Sequence, residues 1–179
     1  MIYLRSDRLF IRPFRESDLE AFSAYRSDPD VAKYQSWEIP YTMEQALVFL
    51  ADINRFKPGT PGEWYQLAVE RQNQPGIIGD VAFQINCDDP RQAEIGFTFD
   101  RSFQSQGYAT EAVKSLLNFL FTQMNLHRVV AICDVQNNPS VRLLERVGLR
   151  REGHFLENNW FKGFWGSEYL YAKLSRERG

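Results

Sequence analysis

The 179-residue sequence is poor in the residues that hold metals and disulfides, with two cysteines, Cys87 and Cys133, and two histidines, His127 and His154. The cysteines lack metal-ligand spacing and each lies in an apolar, strand-like run. They read as reduced core thiols rather than as a disulfide framework. No metal site is expected. Lys and Arg number 21 against 23 Asp and Glu, a formal net charge of −2. That balance leaves no global attraction to nucleic acid or to an anionic membrane. No apolar run approaches the roughly 20 residues of a membrane span, and the opening MIYLRSDRLFIRPF is charged and alternating, unlike a signal peptide. Repeats, low-complexity tracts and Pro/Gly/Ser linkers are absent. The expectation is a single domain over residues 1–179, in the cytoplasm.

Aromatic residues are plentiful, with 14 Phe, 8 Tyr and 4 Trp, so rings should fill much of the core. RLFIRPF (8–14) alternates as a strand does, and a helix over 18–27 with Ser17 as N-cap follows it. Thr42 opens a second helix, with Ala46, Phe49, Leu50 and Ile53 at helical spacing. Past the turn KPGTPGE come WYQLAVER, GIIGDVAFQIN and AEIGFTFD, three strands whose short connections imply an antiparallel meander. The period then changes to 3.6. Ala109, Ala112, Val113, Leu116, Leu117, Leu120 and Met124 mark one face of a helix of about five turns. HRVVAICDV reads as a strand buried on both faces. NNPSVRLLERVGL reads as a helix with Asn138 as N-cap, Pro139 at its first position and Gly148 at its end. Two strands near 150–161 and 167–174 finish an α+β pattern with a mixed sheet.

FQSQGYATEA (103–112) joins the third meander strand to the long helix. A helix N-terminus leaves backbone N–H groups unpaired and carries partial positive charge. On a small-residue turn such donors form an anion site suited to phosphate. Gly107 would let the backbone approach a ligand, Ala109 would keep the next turn free of bulk, and Thr110 would add a hydroxyl. Gly107 equally fits a tight turn with no ligand. The Gly-Lys-Ser/Thr of a phosphate-binding loop and the three glycines of a dinucleotide fingerprint are both missing. After the next strand, Asn137 and Ser140 would stand at the lip of a cleft if the two strands are parallel neighbours, each followed by a helix.

Gln104-Ser105-Gln106-Gly107-Tyr108-Ala109 resembles the Gln/Arg-x-x-Gly-x-Gly/Ala motif of the GNAT superfamily of N-acetyltransferases. GYATEA followed by NNPSVRLLERVGL, with RLFIRPFRESDLEAF and VAKYQSW upstream, is similar to the branch that holds the Rim-type ribosomal-protein N-terminal acetyltransferases. The likeness spans nearly the whole chain. It implies a mixed, mostly antiparallel sheet of about seven strands with a central splayed parallel pair, flanked by about four helices. It also implies acetyl-CoA as the donor. The pyrophosphate would rest on backbone N–H groups from Ser105, Gln106, Gly107, Tyr108, Ala109 and Thr110. The pantetheine would pair with Phe97, Thr98 and Phe99, where a backbone N–H would serve the oxyanion-hole role. Asn137 matches an asparagine that contacts the cofactor.

The family's usual leaving-group acid, a tyrosine seven residues after that asparagine, is replaced here by Leu144. Ser140 is the nearest hydroxyl and matches a serine common in the branch. It would either hydrogen-bond the departing sulfur or cap the helix. Glu94 either orients the amine and relays its proton or is a strand-end surface carboxylate. An α-amine of pKa about 7.8 is roughly one-third neutral at about pH 7.5, whereas lysine is only about 0.1% neutral. An α-amine therefore asks little of a base. His127 and His154 lack motif partners and read as structural.

On the acceptor side, Tyr34, Trp37 and Trp160, with Trp165, either wall the groove or complete the core or a dimer face. At the branch's usual aspartate position stands Ser167, followed by Glu168. The expected activity is direct acetyl transfer to a primary amine, without an acetyl-enzyme. A peptide or protein N-terminus leads, and a polyamine or aminoglycoside-like amine is the alternative. A non-catalytic acyl-CoA-binding module and a nucleotide-phosphate binder are the rivals. Monomer and homodimer both fit.

Overall fold

The computed structural model describes residues 1–177. Its eight strands are β1 (Leu4–Arg5), β2 (Leu9–Arg12), β3 (Trp64–Arg71), β4 (Gln74–Ile85), β5 (Gln92–Phe99), β6 (Arg128–Asp134), β7 (Arg150–Phe161) and β8 (Phe164–Leu174). The helices are α1 (Leu19–Arg26), α2 (Pro29–Ala32), α3 (Met43–Ile53), α4 (Tyr108–Thr122) and α5 (Asn138–Arg146). The strands form one sheet in the order β1-β2-β3-β4-β5-β6-β8-β7. Every neighbouring pair is antiparallel except β5–β6, which is parallel. The α+β, GNAT-like architecture expected from the sequence is therefore present. The strand and the helix beyond the expected counts are β1 and α2, of 2 and 4 residues, too short to leave a periodic signal.

The alternation of strand side chains divides the molecule. One face carries Leu9, Ile11, Leu67, Val69, Val81, Phe83, Ile95 and Val129, packed against α4 and α5. The opposite face carries Ala68 and Ile77 against Phe14, Leu19, Phe22 and Tyr25 of the α1 region and Ala46 of α3. Helix α4 buries Ala112, Val113, Leu116, Leu117 and Leu120 as the 3.6 period requires, and adds Phe119 and Phe121. It runs 15 residues, about four turns, so Met124 lies past its end.

Several local expectations are corrected. Ser17 does not cap α1. Asp18 takes that position, its carboxylate receiving the Arg15 N–H at 2.7 Å and both terminal nitrogens of buried Arg12 at 2.7 and 2.9 Å. Thr42 and Gln45 do form a reciprocal capping box on α3. The cap of α5 is Asn137, one residue before the expected Asn138, and Gly148 follows the helix at φ +86°. Strand β6 is not buried on both faces. Val129 and Ala131 are in the core, but Ile132 is 42% exposed, because α1 and α3 cover only the β2–β4 half of their face. The expectation of core thiols fails for Cys87, whereas Cys133 packs against the edge of the core. Cys87 is exposed beyond the end of β4, and Cys133 is half-buried in β6; both are free thiols.

Candidate active site

The parallel ladder between β5 and β6 is short. It joins Gln92, Ala93 and Glu94 to Arg128, Val129 and Val130 and then ends. Beyond it, β5 stays with β4 as far as Phe99, while β6 stays with β8 as far as Asp134. The two strands therefore splay, each held by its outer neighbour. The gap-facing edge of β5 follows from its ladder. Asp100 donates to Ile78 at 3.0 Å and Gln92 accepts from Asn86 at 3.0 Å, so even-numbered residues bond toward β4. Arg91 accepts from His127 at 2.7 Å, so odd-numbered residues bond toward β6. Ile95 and Phe97 thus present backbone N–H and C=O groups to the gap. The Phe99 carbonyl is occupied by Gln104 Nε2 at 3.0 Å. Thr98 turns its backbone to β4 and its side chain inward, so it offers the gap nothing.

The turn before α4 closes one end of this gap. Ser105 and Gly107 both have left-handed backbones, at φ +60° and +82°. Such an alternation curls the chain into an N–H-lined concavity. Among the described residues, the N–H groups of Ser105 through Thr110 donate to no protein acceptor; the Glu111 N–H, to Gly107 O, is the first that does. The turn itself requires glycine at 107. Besides the positive φ, a Cβ there would lie 3.2 Å from Arg8 Nη2, behind the turn. Arg146 of α5 reaches the Thr110 hydroxyl at 3.3 Å and ties the two helices together.

At the other lip, Asn137 accepts the Ser140 N–H at 3.3 Å. Leu144, one helical turn after Ser140, is 1% exposed and belongs to the core. The position of the family tyrosine is thus a packing position here, and Ser140 lies on the same helix face one turn nearer the strand ends.

Glu94 lies in a cross-strand row running Trp64, Gln84, Glu94, Val130 and Ala172 on the α1–α3 face. Ile132, Asp134 and Glu168 share that face, through the pairs Ile132–Leu170 and Asp134–Glu168. The Glu94 carboxylate has no hydrogen-bond partner among the described residues. Burial, and then the like charge of Glu168, push its pKa above the usual glutamate range. Glu168 is oriented by Asn158 at 2.6 Å and Asn159 at 3.1 Å. Trp64, whose ring stands over Gly96, and Glu168 were not among the expected site residues. Only the pairing register, which no local pattern encodes, brings them to Glu94.

The acceptor-side aromatics separate into different roles. Tyr34 donates its hydroxyl to Gln136 O at 3.2 Å and so bridges the α2 segment to the β6–α5 loop. Lys162, in the β7–β8 turn, donates to Ala32 O at 2.9 Å and Trp37 O at 3.1 Å, closing the hairpin over that segment. Trp37 is used in packing. Its indole donates to Arg26 O at 2.9 Å and its ring lies 3.9 Å from the buried Arg26 guanidinium. Trp160 is 61% exposed and pairs with Trp165 at 5.4 Å. Adjacent Asn159 bonds Glu168, so alternation turns Trp160 to the opposite face from Glu94. His127 and His154 are exposed, and His154 pairs with Tyr169, again away from Glu94. A cleft of about 620 Å³ lined by Tyr3, Phe10, Arg12 and Arg71 lies at the β1–β2 edge and contains none of these residues.

A sheet split between two parallel strands, with a ring of free backbone donors at the head of a helix, defines an acetyltransferase of the GNAT architecture. The chain belongs to that family: residues 8–150 match the Acetyltransferase (GNAT) domain. It is 35% identical over 176 residues to the uncharacterized N-acetyltransferase YnaD of Bacillus subtilis, covering 98% of this chain and 99% of that one. The crystal structure of a GNAT-family acetyltransferase from Bacillus anthracis superposes with TM-score 0.87 at 32% identity, over 98% of this chain and 100% of that one. Two further structures, each at 22% identity and TM-score 0.81, share the fold. RimL, a ribosomal L7/L12 α-N-protein acetyltransferase in complex with coenzyme A, matches over 97% of this chain and 98% of its own. Spermidine N-acetyltransferase from Vibrio cholerae, in complex with CoA and spermine, matches over 96% and 98%. The protein is an N-acetyltransferase.

Proposed function

We propose that this enzyme moves an acetyl group directly from acetyl-CoA to the α-amine of a peptide or protein N-terminus. Acetyl-CoA supplies the activated acetyl group as a thioester. The donor set fits it: six backbone N–H groups from Ser105 through Thr110 suit a pyrophosphate, and the open edge at Ile95 and Phe97 suits the amides of a pantetheine arm. A gap-facing N–H of β5 is the oxyanion donor.

The observation that carries the acceptor side is Glu94, an unpaired, half-buried carboxylate on the face beside the gap. Its raised pKa suits a base that takes the proton of the attacking amine through water. An α-amine needs only that modest help. Ser140 donates its hydroxyl hydrogen bond to the departing sulfur, whose thiol pKa of about 8.5 makes it a fair leaving group.

A polyamine is the second reading. Asp134 and Glu168 share the face of Glu94 and stand directly opposite each other on β6 and β8, so the face gathers carboxylates that suit a cationic acceptor. Incubating the enzyme with acetyl-CoA, a library of unblocked peptides and spermine, followed by mass spectrometry, separates the readings. Acetylated peptide N-termini support the first. Acetylation confined to spermine replaces it with the second.

A further inference from the structure

We propose that Arg8, which no motif of the turn contains, is a positioning residue for the pyrophosphate cradle. It locks the Gln106–Gly107 peptide so that the Gly107 N–H faces the cofactor. This inference rests on the turn being that cradle.

Arg8 Nη1 donates to Gln106 O at 3.1 Å. The peptide that follows is trans, and in a planar trans peptide the carbonyl and the next N–H point in opposite directions. Pulling the Gln106 carbonyl toward Arg8 therefore drives the Gly107 N–H to the far side, into the ring of unpaired donors. Gly107 accommodates the guanidinium because it has no Cβ to meet Nη2. The guanidinium also lies over the Tyr108 ring, 4.5 Å from its centre. Arg8 thus grips three consecutive residues of the turn.

Arg8 is itself anchored. Glu111, in the first turn of α4, accepts Arg8 Nε at 2.7 Å, the Arg8 backbone N–H at 2.8 Å and the Ser6 hydroxyl at 2.7 Å. Burial works against the Glu111 charge, but these bonds prevail and hold its carboxyl below the usual range. A fixed carboxylate orients a fork-shaped guanidinium, leaving one nitrogen for Glu111 and another for Gln106. Lysine has a compact ammonium and lacks the planar fork that presents separate nitrogens to Glu111 and Gln106. Arg8 and Glu111 are 103 positions apart, so the pair forms only when α4 packs across β1 and β2. Cradle geometry is thereby tied to the docking of the N-terminal strands.

The test compares binding of CoA with that of pantetheine, which lacks the phosphates, by calorimetry on wild type, Arg8→Met, Arg8→Lys and Glu111→Gln. Losing one charge-assisted constraint on a phosphate donor should weaken CoA about tenfold in Arg8→Met, with pantetheine binding unchanged. The KM for acetyl-CoA should rise more than kcat falls. Arg8→Lys should recover only part of the loss, and Glu111→Gln should fall between wild type and Arg8→Met. Equal losses for CoA and pantetheine, or CoA affinity unchanged in both Arg8 variants, overturn the proposal while leaving the cradle assignment intact. Wild-type enzyme that binds CoA no tighter than pantetheine overturns both.

Discussion

Asn137 Oδ1 accepts the backbone N–H of Ser140 at 3.3 Å, and the Ser140 hydroxyl has no partner among the described residues. The capping duty belongs to the asparagine, which frees the serine for chemistry. Ser140→Ala should therefore leave the melting temperature and CoA affinity near wild type and lower kcat. An unchanged kcat in steady-state assays would return Ser140 to a passive place at the start of α5.

Glu94 and Glu168 share a sheet face, and the pKa of Glu94 is raised by burial and by that neighbour. A base works only when ionised, so activity should fall with decreasing pH through a midpoint above the ordinary glutamate value of about 4.3. Glu168→Gln removes the like charge and should move that acid limb to lower pH. Asp134, on the same face, supplies the remaining negative charge, while Trp64 and Gln84 are neutral. Glu94→Gln should lower turnover on an α-amine modestly and remove the limb that Glu94 contributes. A pH profile of kcat/KM that is identical in Glu168→Gln and wild type would refute the coupling.

Burial pushes the Cys133 thiol up to about 11, reinforced by the charges of Asp134, Glu168 and Glu145. At neutral pH it is protonated and a weak nucleophile. Cys133→Ser should transfer acetyl at the wild-type rate, and intact mass after incubation with acetyl-CoA alone should show no added acetyl group. Either a covalent adduct at Cys133 or a dead variant would contradict direct transfer.

Arg12 and Asp18 are each only 4% exposed, and Arg12 Nε also binds Glu70 at 2.7 Å. Removing one partner of such a pair strands a buried charge. Asp18→Ala should cost about 3 kcal/mol in urea denaturation. A loss below about 1 kcal/mol would place this network among ordinary surface pairs.

Which parts were legible in the sequence follows from how far each signal reaches along the chain. Apolar period set β3, β5 and α4 within a residue or two, because alternation and the 3.6 repeat are local. The motif around Gly107 marked the donor turn for the same reason. Caps were displaced by one residue although their partners are local: Asp18 answers to Arg12 six residues back, and Asn137, not Asn138, accepts from Ser140. What was missed is non-local. Trp64 and Glu168 reach the face of Glu94 only through strand pairing, and Arg8 meets Gly107 only after α4 has docked. Trp160 shows the converse: a tryptophan in the right segment is turned away because each step along a strand flips the face.

The most direct test of the central claim follows free thiol and acetylated amine together, with enzyme, acetyl-CoA and a mixture of peptide N-termini and polyamines. Thiol and acetyl-amine should appear in equal amounts, with no lag and no acetylated protein. Tight CoA binding without release of thiol on any amine would contradict the account and leave a cofactor-binding module in its place.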